Sequence, residues 1–165
     1  MHELNFYTQL LHTEQQANPE VAEQLDEEVN ILIHKLKFIP EEARPTLLIL
    51  SQENEFEPVY NEQIKDISHI AGALLLADKT DNPSIICIVQ DNESLYGEIT
   101  ALLEDSLLSR STALQNNQLY IIQKSNFGQS TADFLADIEI CAEIVQPKYF
   151  VFGRQDHDWI KFDMA

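Results

Sequence analysis

Glycine is scarce in this chain, with four in 165 residues (Gly72, Gly97, Gly128 and Gly153), each isolated from the others. Neither G-x-G-x-x-G nor G-x-x-x-x-G-K-[ST] occurs, so there is no dinucleotide fingerprint and no P-loop to cradle phosphate with backbone amides. Cations are also few: ten Lys and Arg stand against 28 Asp and Glu, for a formal net charge of −18. Such a field repels nucleic acid and anionic membrane surfaces and suits a basic protein partner. The two cysteines, Cys87 in an apolar run and Cys141 on the apolar side of a helical pattern, read as small buried thiols rather than a disulfide or a metal pair. No apolar stretch approaches the roughly 18 residues of a membrane span. The segment Met1-His-Glu-Leu-Asn-Phe-Tyr7 lacks the basic start and apolar continuation of a signal peptide. The expectation is therefore no membrane insertion, with a cytoplasmic location for the chain as written and a periplasmic one only where an export signal has been removed.

What remains is the composition of one ordinary globular domain, 44% hydrophobic and 23% charged. Residues 1–17 form a polar segment with scattered apolar positions, enough for one helical turn or two. The main α/β domain is expected over 18–165. Asn18 before Pro19 is a helix N-cap followed by proline at the first helical position. Val21, Leu25, Val29, Leu32, Leu36 and Ile39 then recur in steps of three and four, up to Pro40. Four runs are apolar on both faces, as strands buried between two layers are: Thr46–Leu50, Ile85–Val89, Leu119–Ile122 and Tyr149–Phe152. Helical patterns separate them at about 58–71, 94–108 and 131–145, the last opening on a capping box, Ser130-Thr-Ala-Asp133. The tail 153–162 is expected to form a hairpin with the last strand. Alternating apolar strands and helices predict a three-layer α/β sandwich with a mainly parallel sheet of about four to five strands, preceded by a long helix.

Local catalytic signatures are missing: there is no G-x-S-x-G and no H-E-x-x-H, and His2, His12, His34, His69 and His157 are scattered. The chain is expected not to be an enzyme. The compact cluster Asp156-His157-Asp158 and the acidic stretch Glu53, Glu55, Glu57 read as solvated loops. Metal coordination needs ligands converging from several elements, and an EF-hand loop needs a glycine and a terminal glutamate. No metal site and no cofactor is assigned. In an open α/β sheet, ligands bind outside the carboxyl ends of the strands, where loops converge. That rule selects Ser51, Gln52, Phe56 and Tyr60 after the first strand. It selects Gln90, Asn92 and Tyr96 after the second, and Ser125, Asn126 and Phe127 after the third.

Several phrases follow one another in a suggestive order: Arg44-Pro-Thr-Leu-Leu-Ile-Leu50, Asn61-Glu-Gln-Ile-Lys-Asp-Ile-Ser-His-Ile-Ala-Gly72, Asn82-Pro-Ser-Ile-Ile-Cys-Ile-Val89, Ala113-Leu-Gln-Asn-Asn-Gln-Leu-Tyr-Ile-Ile122 and Phe134–Pro147. From Leu25 onward this order resembles the C-terminal lobe of the helical-backbone substrate-binding proteins of ABC importers for cobalamin, haem and iron-siderophores. Ala71-Gly72 stands where that family has a double glycine, and Leu74 where it has an asparagine. Glu62 is the candidate for the glutamate with which the family docks on its importer. The resemblance implies a non-enzymatic module that binds a small molecule or metal complex at the strand-end loops, with a homodimer taking the place of the second lobe. The alternative is an acidic cytosolic module that keeps the fold without a ligand and binds another protein.

Overall fold

The computed structural model describes residues 3–163, so His2 lies outside the described residues. Helices α1 (Asn5–Ala17), α2 (Pro19–Leu36), α3 (Glu62–Ala71), α4 (Leu95–Leu103), α5 (Thr112–Gln115) and α6 (Phe134–Val145) alternate with strands β1 (Thr46–Ser51), β2 (Glu57–Pro58), β3 (Leu74–Leu75), β4 (Ile85–Val89), β5 (Leu119–Ile122) and β6 (Trp159–Lys161). The sheet runs β2-β1-β4-β5-β6, and β3 also pairs with β1. The pairs β1/β3, β1/β4 and β4/β5 are parallel, while β2 and β6 join antiparallel at the two sides. This is the expected three-layer sandwich with a mostly parallel sheet.

Both faces of β1, β4 and β5 are buried because alternate residues serve two separate cores. Leu47, Ile49, Ile85, Cys87, Val89, Tyr120 and Ile122 pack under α1, α2, α3 and α6. Leu48, Leu50, Ile86, Ile88, Leu119 and Ile121 pack under α4, α5 and Leu108. Each fully buried aliphatic side chain contributes about 1.5–3 kcal/mol relative to exposure, so the strands hold only where helices cover them.

The long helix begins as its sequence demands, with the Asn18 side chain accepting from Val21 N–H and Pro19 in the first turn. The segment before it is more ordered than a turn or two. It forms α1, which buries Tyr7 and Leu10 and sets the Phe6 and Tyr7 rings 5.5 and 5.9 Å from Phe134. Tyr7 N–H donates to Asp66 (2.8 Å) and its hydroxyl to Asp26 (2.6 Å). Burial and the Asp26 carboxylate raise the Tyr7 hydroxyl well above its ordinary pKa. The second helical pattern starts only at Glu62, where Asn61 caps Ile64 N–H at 2.9 Å. The third stops at Leu103; shortly beyond it, the Asp105 carboxylate accepts from Leu107 and Leu108 N–H.

Two local expectations are corrected. The capping box at Ser130 and Asp133 does not form: neither side chain caps α6, and the Asp133 carboxylate pairs with Lys124 at 3.2 Å instead. The run Tyr149–Phe152, expected as the last strand, stays out of the sheet, and its Val151 is 86% exposed. One cause is Glu143 on α6, whose buried carboxylate accepts from Phe152, Gly153 and Arg154 N–H and from the Trp159 indole. Phe152 N–H is thereby withdrawn from any ladder, the Tyr149 and Phe150 amides donate to the Gln146 carbonyl instead, and the place beside β5 goes to β6, in the register Ile121↔Ile160.

Glu143→Gln replaces one acceptor oxygen with an NH2 facing N–H donors. It is expected to cost about 1.5–3 kcal/mol, the range for hydrogen bonds to a charged group, read as a lowered urea midpoint. Burial pushes the Cys87 thiol well above its ordinary pKa, and burial with the nearby Asp137 charge pushes Cys141 up to about 12. Both cysteines should therefore resist dithionitrobenzoate in the folded protein and react in guanidinium. An unfolded thiol ionises near pH 8.5, so above that pH the unfolded chain releases protons first. Stability should accordingly fall as pH rises from about 8.5 towards 12, and should be flat in this respect below it.

Candidate functional site

The three central strands are parallel, so their carboxyl ends open on one edge of the sheet, and the loops that follow them meet there. Gln52, directly after β1, fixes the first two loops to each other. Its side-chain oxygen accepts from Asp91 N–H (2.7 Å) and Asn92 N–H (3.0 Å). Its amide nitrogen lies 3.2 Å from the Asn92 side-chain Oδ1, 3.2 Å from the Ser94 hydroxyl and 3.1 Å from the Glu98 carboxylate. Ser94 donates in turn to Asn92. Gln52 is buried and its hydrogen-bonding capacity is used within the protein, so it positions the rim rather than facing a ligand.

Beside this bracket lies an open depression of about 540 Å³, where Gln90, Asn92, Tyr96 and Ser125 come together as the strand-end rule expects. Gln123 joins them, its amide 3.4 Å from the Tyr96 hydroxyl. Gln123 was not among the expected residues, although it is the first residue after β5 and the strand-end rule covers its position. Asp91 and Glu93 complete the lining, which contains no cation. Lys124 is held below by Asp137 (2.5 Å) and Asp133 (3.2 Å). Asp137 has no exposed side-chain surface and also accepts from Gly128 N–H at 2.9 Å. Burial raises its carboxyl pKa, while Lys124 and the Gly128 amide pull it the other way. Gly128 is required at this turn: its φ is +72°, and a Cβ there would sit 2.1 Å from Ile64.

The remaining candidates lie elsewhere. Ser51 and Tyr60 line a separate depression with Glu53 and Gln129. Phe56 is half-buried against the α4-side core with φ +61°, next to Glu55 at +57°. A left-handed conformation costs an L-residue about 1–2 kcal/mol, and here it reverses the chain so that β2 can pair with β1. Asn126 is exposed and reaches Asp133 at 3.4 Å. Phe127 is 3% exposed and belongs to the core, presenting no surface to a ligand.

Neither acid chemistry nor metal binding gains support from the clusters noted in the sequence. Asp158 accepts from Arg154 at 2.9 Å, and among the described residues no group of three or more His, Cys, Asp or Glu side chains is arranged to hold a metal ion. His12, His34 and His157 are exposed and separate, and His69 is half-buried. No helix among the described residues is long and apolar enough to cross a membrane.

No protein-family model matches the chain, and no curated protein matches it. Solved structures do. An ABC transporter substrate-binding protein from Listeria monocytogenes is 16% identical with a TM-score of 0.66, over 86% of this chain and 64% of that one. Staphylococcus aureus IsdE complexed with heme is 16% identical with a TM-score of 0.65, over 87% and 65%. Helicobacter pylori CeuE in an Ni-His complex is 14% identical with a TM-score of 0.61, over 86% and 52%. The chain thus spans about half to two thirds of the length of the structures it matches. Its fold is that of one lobe of the ABC-transporter substrate-binding proteins.

The bracket gives a direct test. Gln52→Leu keeps the bulk but leaves the Asp91 and Asn92 amides without their acceptor, and should cost about 1–3 kcal/mol. Hydrogen exchange should quicken at those two amides while the β4 amides stay protected.

Proposed function

We propose that this chain is a non-enzymatic module that binds a small molecule or metal complex in the depression formed by Gln90, Asn92, Tyr96, Gln123 and Ser125. The observation that carries the reading is the convergence of these side chains from the loops after β4 and β5 and the first turn of α4 on one concave surface, in the part of an α/β sheet where ligands bind. The fold supports it, because solved proteins with this fold are substrate-binding proteins, one of them holding heme and another Ni-His.

The lining narrows the ligand class. Amide and hydroxyl groups offer paired donors and acceptors, Tyr96 offers an aromatic surface, and Asp91 and Glu93 set a negative potential with no lining cation to offset it. A neutral or cationic ligand rich in hydrogen-bonding groups suits this surface, whereas one carrying free carboxylates meets like charge.

Native mass spectrometry of freshly purified protein, followed by denaturing mass analysis, reads any retained ligand as an extra mass that disappears on unfolding. Calorimetric titration then compares the neutral Ni(II)–histidine complex with hemin, which carries two carboxylates. Retained mass, or binding of Ni(II)–histidine at least tenfold tighter than hemin, is expected. Tyr96→Ala and Gln123→Ala should each weaken that binding at least tenfold at an unchanged urea midpoint. A chain that carries nothing and binds neither probe would sink the ligand-binding reading in favour of the acidic protein-interaction module.

A further inference from the structure

The outward face of α2 is complementary to itself. Around Ile31, which is 53% exposed, the positions three, four and seven residues away share one helical face. Towards the N-terminus these are Glu28, Glu27 and Gln24. Towards the C-terminus they are His34 and Lys35, with Phe38 following just past the helix end. One half of the face is acidic and the other basic, with an exposed isoleucine at the centre. Phe38 is 87% exposed, and the Lys37 ammonium lies 4.9 Å from its ring centroid.

A second feature belongs to the same face. Near the acidic end, Val21, Gln24 and Leu25 of α2 form one wall of an apolar trough of about 230 Å³, floored by Leu10, Phe134 and Leu135. Near the basic end lie exposed apolar residues, Phe38, Val151 and Phe152, beside the buried Phe150 ring. Lys35 lies 5.5 Å over the Phe150 ring, Phe150 stacks on Phe152 at 5.8 Å, and Val151 between them is 86% exposed. An apolar hollow thus lies beside one end of the helix, and exposed apolar side chains (Phe38, Val151 and Phe152) lie near the other.

We propose that α2 is the contact of a twofold-symmetric homodimer in which two copies of this chain lay their α2 helices antiparallel, centred on Ile31. A twofold axis there places Glu27 opposite the partner's Lys35 and Glu28 opposite the partner's His34, and each pairing occurs twice. It also sets Phe38 beside the partner's Gln24, at the rim of the trough. A parallel arrangement would bring acid against acid and base against base. The contact uses none of the residues that line the strand-end depression, so it stands whether or not a ligand binds there. The net charge of −18 on each copy opposes association at long range. At about 0.15 M salt, however, the screening length is about 8 Å, so contact pairs outlast the bulk repulsion.

Sedimentation velocity in 0.15 M salt tests this on the 165-residue chain at about 10–100 µM, where a contact of modest area is populated. The wild-type chain should dimerise. Ile31→Glu should raise the dimer dissociation constant at least tenfold, and Glu27→Lys and Lys35→Glu should each weaken the dimer. The Glu27→Lys/Lys35→Glu double variant, which restores the complementarity in reverse, should return to within about threefold of wild type, the sign of pairwise coupling across the interface. Ile31 and Glu27 are solvent-facing, so an unchanged urea midpoint in their variants separates loss of contact from loss of fold, while Lys35→Glu also gives up its place over the Phe150 ring and is read through the double variant. A monomer throughout the range would overturn the proposal. So would a dimer indifferent to Ile31→Glu, or a double variant no better than the weaker single one.

Discussion

Three parallel strands with no exposed face are the constraint from which the rest of this structure follows. Every side chain of β4 is buried, and its neighbours β1 and β5 alternate between two cores that share no residue. Such strands are stable only with helices on both sides, and the two coverings are unequal. Four helices close one face, while α4, the short α5 and the loop around Leu108 close the other. With both faces occupied, polar side chains gather where the strands run out, which is why the open depression lies at their carboxyl ends.

Buried carboxylates on α6 govern what happens at those ends and behind them. Asp137 holds the Gly128 turn and draws Lys124 inward, which leaves the loop after β5 short of positive charge at its surface. Glu143, two turns later, gathers the chain after α6 and turns it towards β6. Each acid satisfies donors that no ladder reaches, and a buried carboxylate so surrounded is fixed in place by the same contacts. One helix therefore shapes both the electrostatics of the depression and the path of the C-terminal segment.

The layout was readable wherever the signal is local. Asn18-Pro19 sets the start of α2, three both-faces-apolar runs are β1, β4 and β5, and the strand-end rule brings Gln90, Asn92, Tyr96 and Ser125 to one surface. What escaped depends on contacts between distant positions. Tyr149–Phe152 has the texture of a strand, but its amides turn back to the Gln146 carbonyl and to Glu143 instead of joining the sheet. Asp133 has the spacing of a capping residue, and Lys124 claims its carboxylate. Gln52 has the look of a ligand residue, yet its amide is satisfied by a loop some forty positions away. Phe127 sits in a polar loop and points into the core, an outcome the flanking residues do not announce.

The way the sheet ends at its sides also bears on how this chain behaves in a crowded solution. Open edges of parallel sheets are templates for adding further strands from other molecules. Here one side is closed by three antiparallel residues at β6 and the other by the two-residue pieces β2 and β3, lengths too short to recruit a partner strand. The apolar segment left outside the sheet, Tyr149-Phe-Val-Phe152, has its Tyr149 and Phe150 amides bound to the Gln146 carbonyl and its Phe152 amide to Glu143, and is flanked by Lys148 and Arg154. Charged residues beside an apolar strand-forming stretch act as gatekeepers against polymerisation. The Glu143 carboxylate and the Gln146 carbonyl thus keep the amides of this apolar stretch from being offered to a strand of another copy.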